Sequence, residues 1–226
     1  MSTKARILEA ATELLSTSVD GDVSTRAVCE AAGVGAPALY RQFGDKEGLL
    51  AAVVDHAFES FLASKRALAE TGDPVHDLYA GWANHMAFAL ANPHHYRLMY
   101  GPGLATRSAA AAEAHDLLLA VLHRCAEAGR LRVAPELAAS VITACNTGAA
   151  MALICRPELH PDPAFADRIR DAVLASVVAT SAPAAPALLA DAAITFQARL
   201  ATQPPAELTE QETGLLHEWL DRLTAA

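Results

Sequence analysis

The sequence predicts an all-α fold. Three observations carry that expectation: Ala, Leu and Glu abound, β-branched runs are short, and apolar residues recur at helical spacing almost everywhere. No pair of strands is evident, and no internal repeat of solenoid length is visible.

The first helix is read over residues 3–18, with Ile7, Leu8, Ala11, Leu14 and Leu15 on one face and Asp20-Gly21 ending it. Ser24 is an N-cap for a second helix, in which Ala27, Val28 and Ala31 face inward until Gly33 stops it. A third, short helix covers residues 37–43. Gly44-Asp45 then caps a long fourth helix, where Leu49, Leu50, Val53, Val54, Ala57, Phe58, Phe61 and Leu62 make a stripe lasting to about Glu70. Asp73-Pro74 opens a fifth helix with the stripe Val75, Leu78, Tyr79, Trp82, Met86 and Leu90, and Asn92-Pro93 closes it.

Residues 94–100 form a short aromatic sixth helix ended by Gly101-Pro102-Gly103. A seventh, over residues 108–128, groups Ala114, Leu117, Leu118, Val121, Leu122 and Cys125, with Gly129 as its stop. Pro135 starts an eighth that reaches Cys155 and is apolar almost all round, interrupted mainly by Ser140, Thr143, Asn146 and Thr147. Such a helix must be covered on two sides. A ninth helix spans residues 164–180, the Ala/Pro-rich piece 181–186 breaks the chain, and two more follow near residues 187–201 and 209–223. Thr209 and Glu212 have the spacing of a capping box, which gives Glu212 a structural task.

With 226 residues, 53% of them hydrophobic, the chain is long enough for one small and one medium domain. The longest apolar stretches are broken by Asn, His, Arg or Pro before the roughly 20 residues that span a bilayer, and no apolar run follows the N-terminal charges. A soluble cytoplasmic protein, away from any membrane, is therefore expected. Cys29, Cys125, Cys145 and Cys155 lie among apolar neighbours without a CxxC pair, so buried, reduced thiols are expected rather than disulfides or zinc ligands. Seventeen basic and 26 acidic residues give a net charge of −9, which disfavours a histone-like or RNA-coating protein. A sequence-specific DNA binder needs only a small positive surface, so the net charge alone does not settle the matter.

Residues 24–43, STRAVCEAAGVGAPALYRQF, read as two short helices joined by a glycine-bearing turn, the helix-turn-helix arrangement. Val28, Ala31, Val34 and Leu39 can pack inward while Arg26, Tyr40, Arg41 and Gln42 stay outside. That pattern is common to helical hairpins in general. The residues say more: Thr25-Arg26-Ala27-Val28, Ala32-Gly33-Val34 and the run from Ala38 through Tyr40-Arg41-Gln42-Phe43-Gly44-Asp45-Lys46-Glu47-Gly48 to Leu50 closely resemble the N-terminal signature of the TetR family of bacterial repressors.

The resemblance covers roughly residues 6–50. It implies a three-helix DNA-binding head (residues 1–48), a fourth helix joining head to body, and an antiparallel helical body (residues 49–226) that binds an effector and forms a homodimer through its late helices. Matched residue by residue, it makes Thr25 and Tyr40 phosphate contacts. Lys46, at the start of the fourth helix, could meet a phosphate together with backbone N–H groups. Base reading would fall to Gly35, Ala36, Pro37 and Ala38, with Arg41 or Gln42 reaching a base edge or phosphate. Where the family usually has Ser or Thr, this chain has Gly35, so a hydroxyl donor is missing and direct readout would be sparse. Blander roles stay open: Tyr40 could plug the surface, Lys46 could pair with Asp45 or Glu47, and Thr25 could be a first-turn spacer.

Residues 82–100, WANHMAFALANPHHYRLMY, look like the aromatic sixth-helix region of a subgroup of the same family, which implies an effector cavity among helices four to eight. Candidate lining residues are Trp82, His85, Met86, Phe88, Tyr96, Met99, Tyr100, Leu118, His123, Asn146 and Met151, each of which could equally be core. Phe88 falls off the main stripe of its helix, so that helix has a second buried side. Asn146 is the best polar candidate, because its amide must find a partner in an apolar helix. Dimerisation is expected through Val141, Ile142, Ala149, Ile169, Val173 and Val177.

The nine histidines show no metal-ligand spacing: His94-His95 point apart and His115 and His123 lie two turns apart. No metal or cofactor is expected. GxSxG, P-loop and GxGxxG motifs are absent, which disfavours an enzyme. The function expected is therefore a ligand-responsive, sequence-specific transcriptional regulator, a repressor released from palindromic operator DNA by a small, largely apolar molecule. The rival reading is a helical interaction protein whose head no longer binds DNA, which the Gly35-Ala36-Pro37 start keeps open.

Overall fold

The computed structural model describes residues 1–18, 22–100, 109–179, 189–203 and 208–224, and among them eleven α-helices. These are α1 (Thr3–Thr17), α2 (Thr25–Ala32), α3 (Ala36–Phe43), α4 (Lys46–Arg66), α5 (Pro74–Ala91), α6 (Pro93–Tyr100), α7 (Ala109–Glu127), α8 (Pro135–Cys155), α9 (Phe165–Val177), α10 (Leu189–Thr202) and α11 (Glu210–Thr224). The all-α expectation holds. The chain divides into two compact units, one of residues 1–67, 84–114 and 153–155, the other of residues 68–83, 115–152 and 156–226.

In the first unit, Ile7, Ala11, Leu15, Val28, Leu39, Leu49 and Val53 form a core from which water is almost wholly excluded. Leu8, Leu14, Val34 and Leu50 pack at its edge. Local chemistry sets the helix starts: Ser2, Ser24 and Asp45 each accept a hydrogen bond from the amide three residues on, at 3.1, 3.1 and 2.7 Å. Helix α6 packs on α1 and α4 in the same unit.

In the second unit, Thr209 and Glu212 close the expected capping box, with the Thr209 amide donating to the Glu212 carboxylate at 2.9 Å and the Glu212 amide to the Thr209 hydroxyl at 3.3 Å. Ala193, Leu200 and Leu220 bury between α10 and α11. Arg124 reaches the Asp77 carboxylate at 2.8 Å and Arg130 the Asp73 carboxylate at 2.6 Å, tying α7 and the turn after it to the start of α5.

Several expectations need correction. Ala31 is exposed, and Cys29 and Ala32 are buried instead. At about 100° per residue, positions 28, 29 and 32 share one face and position 31 falls at its margin. Leu90 is likewise half exposed while Ala89 is covered, because the buried face of α5 runs through Leu78, Trp82, His85 and Ala89. Helix α4 ends at Arg66, short of Glu70. The chain there enters a loop in which the Thr71 amide and hydroxyl bond the Asp77 carboxylate. Helix α9 stops at Val177, because Val178 pairs with Leu131 in an isolated antiparallel bridge supported by Arg132 N–H to Val177 C=O (2.9 Å) and Ala179 N–H to Arg130 C=O (2.8 Å). That bridge joins single residues and forms no strand.

The cysteines are all free, but only Cys29 and Cys125 are buried; Cys145 is half-buried and Cys155, at the end of α8, is exposed. By length and composition alone, α8 is apolar enough to cross a membrane, contrary to the expectation that every apolar stretch breaks too soon. Only a third of its most apolar window is buried within the chain. Asp20-Gly21, Gly101-Pro102-Gly103, Ser108, Thr180, Ser181 to Pro186 and Ala187, to which helix ends or breaks were assigned, lie outside the described residues.

Candidate nucleic-acid interface and aromatic cluster

The turn between α2 and α3 follows from one glycine. Gly33 takes the left-handed conformation (φ 62°, ψ 42°), and its N–H returns to the Glu30 carbonyl while Val34 N–H returns to Cys29 (3.0 Å). The Arg6 guanidinium, from α1, donates to the Ala32 carbonyl and so holds the end of α2 from outside. Gly35 then caps α3 with backbone alone, as its missing side chain requires, and Pro37 sits in the first turn.

The junction of α3 and α4 is tighter still. Asp45 spends its carboxylate on the Gly48 amide, and a Cβ on Gly48 would lie 2.0 Å from the Phe43 carbonyl oxygen. Only glycine fits there without displacing backbone. The pitch of α3 relative to α4 is thereby fixed by two local features.

This frame points a small set of side chains outward. Leu39 is fully buried, whereas Tyr40 is 47% exposed and Arg41 and Gln42 are exposed beside it. Gly35, Ala36 and Pro37 are exposed, and Ala38 and Thr25, the first residue of α2, are half-buried. Arg26 pairs along its own helix with Glu30 at 3.0 Å. Lys46 pairs with neither Asp45 nor Glu47: its ammonium donates to the Asp22 carboxylate at 2.8 Å. That bond, followed by one from the Val23 amide, holds the Asp22 carboxyl below the usual range. Among the described residues Arg41 has no acidic partner, so it is the free cation of α3.

A second constellation in the same unit lies along α4, α5 and α6. Phe61 meets the His85 ring edge-on at 5.2 Å, and the pairs Phe61–Phe88 and Tyr96–Tyr100 pack tilted at 5.1 and 4.6 Å. His85 Nε2 lies 2.6 Å from the Tyr96 hydroxyl. Burial first, and the charge of Lys65 second, push the His85 imidazole down to about 3, so it is neutral at physiological pH. Burial pushes the Tyr100 hydroxyl up to about 12. Asn84 donates to the Ser64 hydroxyl at 3.0 Å, and Lys65 donates to the Ala114 carbonyl at 2.8 Å.

His85, Met86, Phe88, Tyr96, Met99 and Tyr100 thus fall in the first unit, and the structure joins all but the two methionines through ring contacts. Trp82, Leu118, His123, Asn146 and Met151 fall in the second. Trp82 and Asn146 are buried there, the indole N–H and the Asn146 carbonyl oxygen without a protein partner among the described residues; Leu118, His123 and Met151 are half-buried. Of the expected dimer residues, Ile142, Ala149 and Val177 are already covered within the chain and have little surface left for a partner; Val141, Ile169 and Val173 are half-buried. Sequence reasoning missed Asp22, Gly48 and Lys65. Lys65 lies four residues after Phe61, on the same helix face, and that spacing was the available signal.

Comparison with known proteins places this geometry. Residues 7–53 match the family described as bacterial regulatory proteins, tetR family. A stretch of 71 residues is 44% identical to the HTH-type transcriptional regulatory protein RaaS of Mycobacterium tuberculosis (strain ATCC 25618 / H37Rv), covering 31% of this chain and 33% of that protein. This chain therefore matches about a third of the length of that curated relative. Among solved structures, a protein of unknown function from Rhodococcus sp. RHA1 superposes with a TM-score of 0.67 at 25% identity, over 79% of this chain and 97% of that one. A TetR variant from Acinetobacter baumannii AYE, in complex with minocycline, superposes with a TM-score of 0.58 at 20% identity, over 76% and 94% of the two chains.

Proposed function

We propose that this chain, a member of the tetR family of bacterial regulatory proteins, is a transcriptional repressor that binds a palindromic operator as a homodimer and leaves it when a small, largely apolar molecule binds the body. The observation that carries the reading is the locked frame of α2, Gly33 and α3, which buries Val28 and Leu39 and leaves Tyr40, Arg41 and Gln42 facing out. A helix-turn-helix presents its second helix to the major groove in this way. The likeness to a mycobacterial regulator named for the same motif supports it.

In this reading residues 1–48 are the head and residues 49–226 the effector and dimer body. Thr25, Tyr40 and Lys46 hold phosphates, and residues 35–38 with Arg41 and Gln42 meet the bases. The exposed Gly35, Ala36 and Pro37 offer backbone and apolar contact only, so Arg41, Gln42 and DNA shape carry most of the discrimination. Lys46 must exchange Asp22 for a phosphate on binding.

The minocycline complex of a neighbour with the same fold supports an effector role for the body. Helix α4 is the link. It carries Lys46 at one end and Phe58 and Phe61 near the other, so a ligand against the aromatic end displaces a rigid rod whose start is fixed to α3 through Gly48. Reciprocity then requires operator DNA to weaken ligand binding by the same factor. The incompletely covered α8, with Leu137 exposed, together with Val141, Ile169 and Val173, supports a partner protomer over the late helices. Sedimentation at micromolar concentration tests that part: a dimer is expected, and a monomer contradicts it. Mobility shift with the palindrome nearest the protein's own gene tests DNA binding, and the absence of a shift at low salt overturns the reading.

A further inference from the structure

We propose that the effector carries a negatively charged group, a carboxylate in the simplest case, on an apolar and aromatic body, and that Lys65 is the residue that receives the charge. This rests on the reading of the body as an effector domain and narrows it.

Lys65 is half-buried near the end of α4, with its ammonium 5.3 Å from the centre of the Phe61 ring. It donates to the Ala114 carbonyl, which uses one of its three N–H groups. Among the described residues no carboxylate pairs with it. Its neighbour in sequence shows the contrast, since Arg66 is held by the Glu113 carboxylate at 2.5 Å. Among the described residues the fold thus supplies an acid to the exposed cation and none to the half-buried one. Burial alone pushes the Lys65 ammonium down to about 8, so it still carries most of its charge at neutral pH without a counter-charge.

The groups near that ammonium fit the rest of such a ligand. Phe61 bridges Lys65 to His85 and Phe88 through ring contacts, and His85 is a neutral imidazole already engaged with Tyr96. None of these competes for an anion. Phe61 and His85 are buried, whereas Phe88 and Tyr100, in ring contact with them, keep some surface; flat apolar rings beside a cation without a counter-charge favour an amphipathic acid over a neutral hydrocarbon or a cation. A purely structural lysine pinning the start of α7 by its carbonyl bond would show no preference among ligands, which makes the two roles separable.

The test is calorimetric titration of the full chain with naphthylacetate and with its uncharged counterpart naphthylethanol at neutral pH. The acid is expected to bind the unmodified protein about tenfold or more tightly than the alcohol, the margin of one charge-assisted hydrogen bond. Lys65→Met should erase that preference with little change for the alcohol, and Lys65→Arg should retain it. Equal binding of the two probes, binding of neither, or an undiminished preference in a folded Lys65→Met protein overturns the proposal. The comparison on the unmodified protein stands even where the variant fails to fold. Operator binding measured on the same sample separates the two readings: DNA binding without acid preference removes only this inference, and acid preference without DNA binding removes only the repressor role.

Discussion

Gly48 is the residue on which the α3–α4 junction most depends, because the missing Cβ is what lets the first turn of α4 close over the Phe43 carbonyl. Gly48→Ala is expected to destabilise the protein by about 2 kcal/mol, the scale of forced backbone displacement, read as a lowered urea midpoint at unchanged slope. Arg41 sits at the opposite extreme, exposed and, among the described residues, without an acidic partner, so its substitution should leave folding alone. Arg41→Ala should weaken DNA binding and reduce the slope of log affinity against log salt by about 1 if it meets a phosphate. An unchanged slope with altered sequence preference would assign it to a base. His85 gives a pH prediction. Its folded-state value is depressed to about 3 from an ordinary 6.5, so the unfolded chain binds the extra proton between those limits and stability falls as pH drops below about 6.5. The loss at pH 5 is about 2 kcal/mol. Thermal melts of the unmodified protein and of His85→Gln across that window should differ by about this slope, and parallel curves would contradict it.

At the scale of elements, the helices were legible because amphipathic spacing and end signals agree. Ser24, Gly33, Gly129, Pro135 and the Thr209–Glu212 box all act where the sequence puts them. Thr209→Ala should cost α11 about 1 kcal/mol, seen as faster amide exchange in its first turn. What the sequence left hidden has a common cause. The end of α9 depends on Leu131, and the salt partner of Lys46 depends on Asp22; each is set by a residue distant in the chain. Faces were misjudged by one position at Ala31 and Leu90, where a small residue beside each, Ala32 and Ala89, takes the buried place. The exposed face of α3 was legible from its motif. Lys65 was not, since two adjacent cations, Lys65 and Arg66, give no sign in the sequence of which one an acid meets.

For the whole molecule, the net charge of −9 means that DNA affinity must come from few cations, of which Arg26 and Lys46 are already paired within the chain. Nonspecific binding should consequently be weak and the operator preference large, and in the proposed dimer two copies of α3 would supply what one cannot. Asp22→Asn frees Lys46 and is expected to raise affinity for operator and unrelated DNA alike, by about threefold at low salt. The most direct test of the central claim is a fluorescence-anisotropy titration of the full chain against the palindrome beside its own gene and a shuffled duplex of equal composition, at near-physiological salt. Binding to the palindrome at least about a thousandfold tighter than to the shuffled duplex is predicted; equal affinity for both, or no binding to either, would contradict it.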